Sequence, residues 1–168
     1  IISSRNSPAI YNRDLADIDP TFFESVKVVV MNPPFMAGIN CVERKQPLYR
    51  SIRRITGNDA KTNVGQMPLE SVFLELLLEL VQPGTTVSCV FPKTHLVGRG
   101  PESKAIRRLL LNQFGLHLVF NFPGDEIFDE VTKDTCVVVG KAKTPPAHVK
   151  VVSSYDKIPD IDIHRFST

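Results

Sequence analysis

The chain has 168 residues and a net charge of +2, and it is 42% hydrophobic and 23% charged. This composition is that of one ordinary globular domain, and it contains neither an apolar run near the roughly 18 residues of a membrane span nor a signal segment. The cysteines, Cys41, Cys89 and Cys136, are about fifty residues apart and predict neither disulfides nor a metal site, and the four histidines show no metal-ligand spacing either. We therefore expect a cytoplasmic protein without a metal and without a membrane partner.

Residues 1–25 form a polar segment with a loop or short helix at 14–20, and a strand is predicted over 26–31. The four consecutive apolar residues 28–31 fit a strand that is covered on both faces. The strand has to end at Asn32, because the two prolines that follow lack the N–H that a sheet ladder needs. Ligands bind at the carboxyl ends of strands in α/β sheets, so Asn32 lies where chemistry is expected.

The tetrapeptide Asn32-Pro33-Pro34-Phe35, here called the NPPF turn, suits the binding of a planar amine. The Asn32 side-chain carbonyl and the Pro33 backbone carbonyl are two acceptors held close together. Hydrogen bonds from an –NH2 group to both would draw its nitrogen from planar towards tetrahedral, and Phe35 offers a face on which a base can stack. A strand end followed by a tight turn and a core Phe is the alternative interpretation.

An Asn-Pro-Pro-Phe sequence after a hydrophobic strand resembles the amine-binding motif of the S-adenosylmethionine-dependent N6-adenine DNA methyltransferases, in particular the modification subunits of type I restriction systems and related enzymes. The resemblance implies a class I, Rossmann-like fold, S-adenosyl-L-methionine as cofactor, double-stranded DNA as substrate, and catalytic roles for Asn32, Pro33, Pro34 and Phe35. Similar motifs occur in methyltransferases of RNA guanine and protein glutamine, so those substrates stay open. In the resembled family an acidic residue upstream accepts a hydrogen bond from the cofactor adenine, and Asp14 is the match; a solvated Asp near a helix start is the alternative.

Residues 36–66 show no clear periodicity and concentrate positive charge. Over 39–66 six basic residues stand against Glu43 and Asp59, so six minus two gives +4. A basic loop beside a catalytic motif fits contact with a phosphodiester backbone, whereas the solvated face of a short helix at 48–55 is the alternative. The residues predicted to contact the DNA backbone are Arg44, Lys45, Arg50, Arg53, Arg54 and Lys61.

A helix is predicted over residues 69–81, because its apolar positions leave one narrow polar stripe (Ser71, Glu75, Glu79 and Gln82). Such a helix packs against a sheet. Pro83-Gly84 ends it, and residues 86–91 read as the next strand, closed by Pro92. A strand, a helix and a strand in this order predict a parallel pair, as in the resembled family, where the second strand ends in an apolar residue followed by Pro-Lys.

A further helix is predicted from Pro101 to a point before Gly115, followed by strands over 116–122 and 135–141. The connection between these strands carries no helical pattern, so we expect them to pair antiparallel at the sheet edge. A stiff linker at 144–147 and a short strand at 148–152 follow. The predicted fold is α/β, the C-terminal half of a class I methyltransferase sheet with an antiparallel edge hairpin, divided into a partial catalytic domain (1–143) and a C-terminal extension (144–168).

The connection between the hairpin strands contains Glu126-Ile127-Phe128, which resembles the family's late motif. The resemblance implies that Phe128 packs against an adenine extruded from the duplex, opposite Phe35. An extruded base needs a π-face and exclusion of water on both sides to replace its lost stacking. A loop residue anchored in a local core is the alternative.

The resembled family binds its cofactor with a glycine-rich turn after the first strand, and no Gly-x-Gly sequence follows a strand before Asn32. The resemblance thus covers roughly residues 10–143. Since the chain also begins at Ile1, we expect a fragment, with the missing N-terminal half or a specificity subunit or domain supplied from elsewhere. The strand at 26–31 would then have an unpaired edge and an uncovered apolar face. A non-catalytic remnant that binds nucleic acid or a partner subunit is the competing hypothesis.

Overall fold

The computed structural model describes residues 9–121, 134–146 and 148–153, and within these ranges all strands belong to one sheet. The strands are β1 (Val28–Met31), β2 (Thr86–Pro92), β3 (Leu116–Asn121), β4 (Thr135–Lys141) and β5 (Lys150–Ser153). The helices are α1 (Val42–Thr56), α2 (Leu69–Leu80), α3 (Thr94–Val97) and α4 (Pro101–Asn112), with short 3-10 helices at Leu15–Asp17, Pro20–Phe23 and Gly38–Asn40. One hydrophobic core includes residues from the sheet and from helices α1, α2 and α4.

The sheet has the order β1-β2-β4-β3-β5. β1 and β2 are parallel and joined through α2, and β3 and β4 form the antiparallel hairpin, so the predicted fold class is confirmed. β4 lies between β2 and β3 and is antiparallel to both. β5, for which the sequence indicated a strand but no partner, pairs in parallel with the outer side of β3. In the described sheet the hairpin therefore lies one strand in from the edge where it was expected.

α2 is the central helix, and its predicted position is confirmed to within one residue. Burial extends even to part of its polar stripe, since Ser71 and Glu75 are 0% and 1% exposed. The Glu75 carboxylate accepts hydrogen bonds from the backbone N–H groups of Lys61 (2.7 Å) and Thr62 (2.8 Å). A buried carboxylate is tolerated when such donors replace water. The polar stripe of α2 is therefore covered in part by the segment that contains Lys61 and Thr62.

The basic segment is a helix and not a loop, and it includes the alternative short helix at 48–55: α1 runs over Val42–Thr56 and ends where Gly57 adopts a φ of 73°. Its buried positions are Lys45, Leu48, Ser51 and Ile52, at the spacing of one helical face. Two of these four residues are polar. The apolar periodicity that identifies a helix in a sequence is therefore missing from α1.

β1 has one strand neighbour among the residues described, which makes it an edge strand. Val28 and Val30 are 61% and 80% exposed, so the expectation that both faces of β1 are covered is wrong for this chain. The expected uncovered apolar face is present. Within the described ranges no helix combines the length and the apolarity needed to cross a membrane.

Candidate active site

The NPPF turn begins directly after β1, beside the continuing strand β2. Asn32 and Pro34 are exposed, Pro33 is buried and Phe35 is half-buried. Among the residues that the structure describes, none hydrogen-bonds to the Asn32 side chain. The turn therefore presents an open amide with a partly covered ring behind it, at the edge of the sheet where α/β proteins bind ligands.

The residue after the turn, Met36, is tied to the start of α2 by two hydrogen bonds. Its carbonyl accepts from the Leu69 backbone N–H at 3.1 Å. Its own N–H donates to Oε2 of Glu70 at 3.3 Å. The other oxygen of Glu70, Oε1, lies 3.0 Å from Nε2 of His95 on α3. One carboxylate thus links the turn after β1 to the helix after β2.

The segment behind the turn is held close to residues 66 and 67. A Cβ on Gly38 would overlap the Gln66 carbonyl oxygen, so the close approach of the two backbones requires glycine there. The Lys45 ammonium group donates to the carbonyls of Gly38 (3.3 Å) and Met67 (2.8 Å) and is buried. The prediction that Lys45 contacts DNA is therefore corrected, because its charge is enclosed and already paired with protein acceptors.

The remaining basic residues of the predicted DNA contact differ in whether protein groups already bind their charge. Arg53 lies 3.6 Å from Asp59 and Lys61 lies 3.8 Å from Glu79. Arg54 donates to the Ala16 carbonyl at 3.3 Å and to Ser51 Oγ at 3.1 Å. For the exposed Arg44 and Arg50, no hydrogen-bond or ion-pair partner occurs within the described ranges.

Asp14 is exposed, and its Oδ1 accepts a hydrogen bond from the Ala16 N–H at 2.9 Å, which caps the first 3-10 helix. A cavity of about 240 Å³ lies nearby along the chain, lined by Tyr11, Arg13, Ile18, Asp19, Thr21 and Phe22. Complete ligand pockets usually exceed roughly 300 Å³. This cavity is smaller than that, and Asp14 does not line it.

The cysteines offer no nucleophile at neutral pH. Burial raises the pKa of Cys89 to about 12 and that of Cys136 to about 11. The pKa of Cys41 is also raised, by burial first, with the nearby charges of Lys45 and Glu70 acting in opposite directions. All three thiols therefore stay protonated, and among the described residues no cluster of metal-ligating side chains was found.

Two site residues, Glu70 and His95, were missed in the sequence, where no role was assigned to His95. A signal for Glu70 was present: with Leu74 and Leu77 it has the i, i+4, i+7 spacing of a buried face, so it stands where the helix requires an apolar residue. Phe128 lies outside the described residues, so its place opposite Phe35 stays a prediction.

Solved structures similar to this chain define the class of protein. The type IIG restriction endonuclease BpuSI is 40% identical over 86% of this chain, with a TM-score of 0.79. A modification subunit of a putative type I restriction enzyme from Vibrio vulnificus YJ016 is 16% identical over 87% of it, with a TM-score of 0.59. A putative class I S-adenosylmethionine-dependent methyltransferase from Listeria monocytogenes is 12% identical over 84% of it, with a TM-score of 0.58. The fold is that of class I methyltransferases.

The family is shown by the sequence as well. Residues 6–128 match the sequence profile of the Eco57I restriction-modification methylase family, and the chain belongs to this family. No curated protein sequence gives a significant match. The chain spans 17%, 28% and 40% of the lengths of the three similar structures.

Proposed function

We propose that this chain is the substrate-side part of an enzyme that transfers a methyl group from S-adenosyl-L-methionine to the N6 amine of adenine in DNA. The observation that carries the proposal is the open amide of Asn32 in the NPPF turn, at the carboxyl edge of the sheet. The membership in a restriction-modification methylase family supports it.

In this proposal the chain positions the amine and stabilises its developing charge. The Asn32 side-chain carbonyl and the Pro33 carbonyl accept the two N–H groups of the adenine amine, which turns its lone pair towards the methyl donor. As the new C–N bond forms, positive charge grows on the nitrogen, and the two oxygens are already in place to stabilise it. The cofactor, when bound, supplies an electrophilic methyl group on a sulfonium sulfur. The methylated nitrogen at first keeps both of its protons and then releases one to solvent, so the protein needs no strong base.

Aromatic side chains hold the base outside the duplex. Phe35 supplies one face, and its ring is half-buried, so that part of it is accessible to a base. Phe128 is proposed for the opposite face. Stacking and exclusion of water on both sides replace part of the energy that is lost when adenine leaves the helix.

Without the buried Lys45, the proposed contact with the DNA backbone consists of the basic residues that are exposed to solvent. These are Arg44, Arg50, Arg53, Arg54 and Lys61. Arg44 and Arg50 rank first, because the charges of Arg53 and Lys61 are partly offset by Asp59 and Glu79. This contact favours DNA over a glutamine side chain.

The cofactor site is proposed to be completed by residues beyond those described here. Asp14 remains the proposed contact for the cofactor adenine, since one of its carboxylate oxygens is not used by the cap. The catalytic part is taken as residues 1–143 and the extension as 144–168. An N-terminal half or a specificity subunit or domain would cover the exposed face of β1.

The test is transfer of labelled methyl groups by the complete protein to DNA, RNA and protein, assayed side by side. We expect label in DNA and in N6-methyladenine after hydrolysis. Label in RNA or in glutamine would show that the substrate is not DNA. Binding of DNA without transfer to any acceptor would identify a non-catalytic remnant.

A further inference from the structure

The Glu70 carboxylate lies between the two strand ends that form the candidate active site. It is 1% exposed, and both of its oxygens are engaged: Oε2 with the Met36 N–H and Oε1 with the His95 ring. A helix in a hydrophobic core gains nothing from an ionisable residue at such a position, because burial of a carboxylate costs several kcal/mol unless donors compensate it. The two partners come from the turn after β1 and from α3, the helix after β2. Glu70 therefore has a place in the arrangement of these two segments.

The His95 end of this link is itself held firmly. The His95 ring lies 5.2 Å from the ring of Phe91, centroid to centroid, in a tilted arrangement. Its backbone carbonyl accepts a hydrogen bond from Nη1 of Arg107 at 3.2 Å, and the same Nη1 donates to the Gly98 carbonyl at 2.7 Å. α3 is thus attached to α4 and to the core. Glu70 is oriented by a rigid partner and can in turn orient Met36.

The Met36 end lies one residue beyond the NPPF turn. Besides the two hydrogen bonds to the start of α2, its carbonyl lies 3.8 Å from Sγ of Cys41. Asn32 has no side-chain partner among the residues described, so its direction depends on the backbone that follows it. Three residues separate Asn32 from Met36, and two of them are prolines with fixed φ angles, which transmit the position of one end of the turn to the other.

We propose that Glu70, held by His95, is a positioning residue that sets the direction of the Asn32 amide through the Met36 N–H. The inference rests on the proposed function and adds a residue through which the sheet core controls the geometry of methyl transfer. A misplacement of about 1 Å at a reacting group can lower a rate ~100-fold. Loss of the Met36 contact is therefore expected to lower kcat by a factor of about 10 to 100 and to leave KM for DNA within about twofold.

Glu75 provides a matched control on the same helix. It is as buried as Glu70, at 1% exposure, and accepts comparable backbone hydrogen bonds, but from Lys61 and Thr62, away from the NPPF turn. Glu70→Ala and Glu75→Ala remove the same atoms from the same helix. If burial alone matters, both lower the unfolding temperature and neither changes kcat of the folded enzyme. The inference predicts that kcat falls for Glu70→Ala alone.

The first measurement is hydrogen exchange in the complete protein, read by mass spectrometry on peptides that cover residues 33–41. Glu70→Ala is expected to speed exchange there at least tenfold, whereas Glu75→Ala leaves it unchanged. Glu70→Gln keeps one acceptor for Met36 and places an N–H2 group at His95, so it should restore most of the protection. Should Glu70→Ala fail to fold, His95→Ala replaces it, because it removes the group that orients the carboxylate. Unchanged exchange in the folded variant would overturn the inference, whether or not the protein methylates DNA.

The second measurement is kcat in single and double variants. If Glu70 acts through Asn32, Glu70→Ala should lower kcat of the wild type at least tenfold but that of the Asn32→Ala enzyme less than twofold. Equal losses in both backgrounds would show an action independent of Asn32 and would overturn the assignment. A wild-type protein without methyl transfer contradicts the proposed function, and the exchange measurement then decides on the contact between Glu70 and Met36 by itself.

Discussion

β1 and β2 are parallel neighbours, yet they are buried to different degrees. On the inward face Val87 and Cys89 of β2 are fully buried, whereas their register partners in β1 are only half-buried. On the other face Val28 and Val30 of β1 are 61% and 80% exposed, whereas the residues of β2 are half-buried. The segment after β1 presents the open amide of Asn32. The segment after β2 holds His95 in contact with Glu70. The strand at the edge thus carries the candidate chemistry and the strand inside the sheet carries its support.

The largest effect is expected from the buried strand. Phe91→Ala should lower the free energy of unfolding by about 3–5 kcal/mol, since it removes a ring that is 0% exposed and leaves a cavity next to His95. Denaturant unfolding measures the change, with Val90→Ala on the same strand as a milder control. A loss below about 1 kcal/mol would show that β2 is not the core strand described here.

The next largest effect is expected at the open end of β1. Asn32→Ala should lower methyl transfer by the complete enzyme by a factor of ~100 or more, because a group that stabilises developing charge is lost. The fold should be intact, since the Asn32 side chain is exposed and packs no core. Single-turnover kinetics together with an unfolding curve separate the two effects. Transfer at the wild-type rate would remove Asn32 from the mechanism.

A smaller effect is expected from the rings beside the open end. Phe35→Ala and Phe128→Ala should each weaken binding to target DNA by about 1–3 kcal/mol through lost stacking. A duplex mismatched at the target adenine should recover part of the affinity, because less energy is needed to extrude the base. Equilibrium titration with matched and mismatched duplexes provides the comparison. If Phe128→Ala binds both as tightly as the wild type does, Phe128 belongs to a local core.

On the exposed face of β1, Val30→Lys should change the free energy of unfolding by no more than about 0.5 kcal/mol, since Val30 is 80% exposed. Val30→Lys should instead reduce self-association of the 168-residue chain, because an apolar edge strand pairs readily with another copy. Sedimentation of both proteins at equal concentration measures it. Val87→Lys on β2 is the contrasting variant and should unfold the chain. Identical sedimentation of the Val30→Lys and wild-type chains would show that this face does not drive association.

The smallest signal is expected when the isolated chain is titrated with S-adenosylmethionine. The described cavity near Asp14 is about 240 Å³, and no glycine-rich turn precedes Asn32. Calorimetry should therefore show negligible binding. A one-to-one complex in the micromolar range would mean that the pocket is built from residues within the chain.

The sequence alone predicted the elements whose apolar pattern is regular. β1, β2, α2 and the β3–β4 hairpin follow from runs of apolar residues bounded by proline and glycine, because local periodicity and turn residues act over short distances. The NPPF turn and the resemblance it carries were also readable without a structure. Of α1 only residues 48–55 were considered as a helix, and as an alternative, since Lys45 and Ser51 occupy its inner face and interrupt the periodicity.

The tertiary structure alone decided which charged groups are enclosed. Lys45 appeared in the sequence as one of six similar basic residues, yet its charge is paired with the carbonyls of Gly38 and Met67. Glu70 and His95 are 25 residues apart and meet because α2 begins beside the end of β2, where α3 follows. Whether a charge can be buried depends on partners that the fold brings from distant segments, and a local pattern contains no information about them.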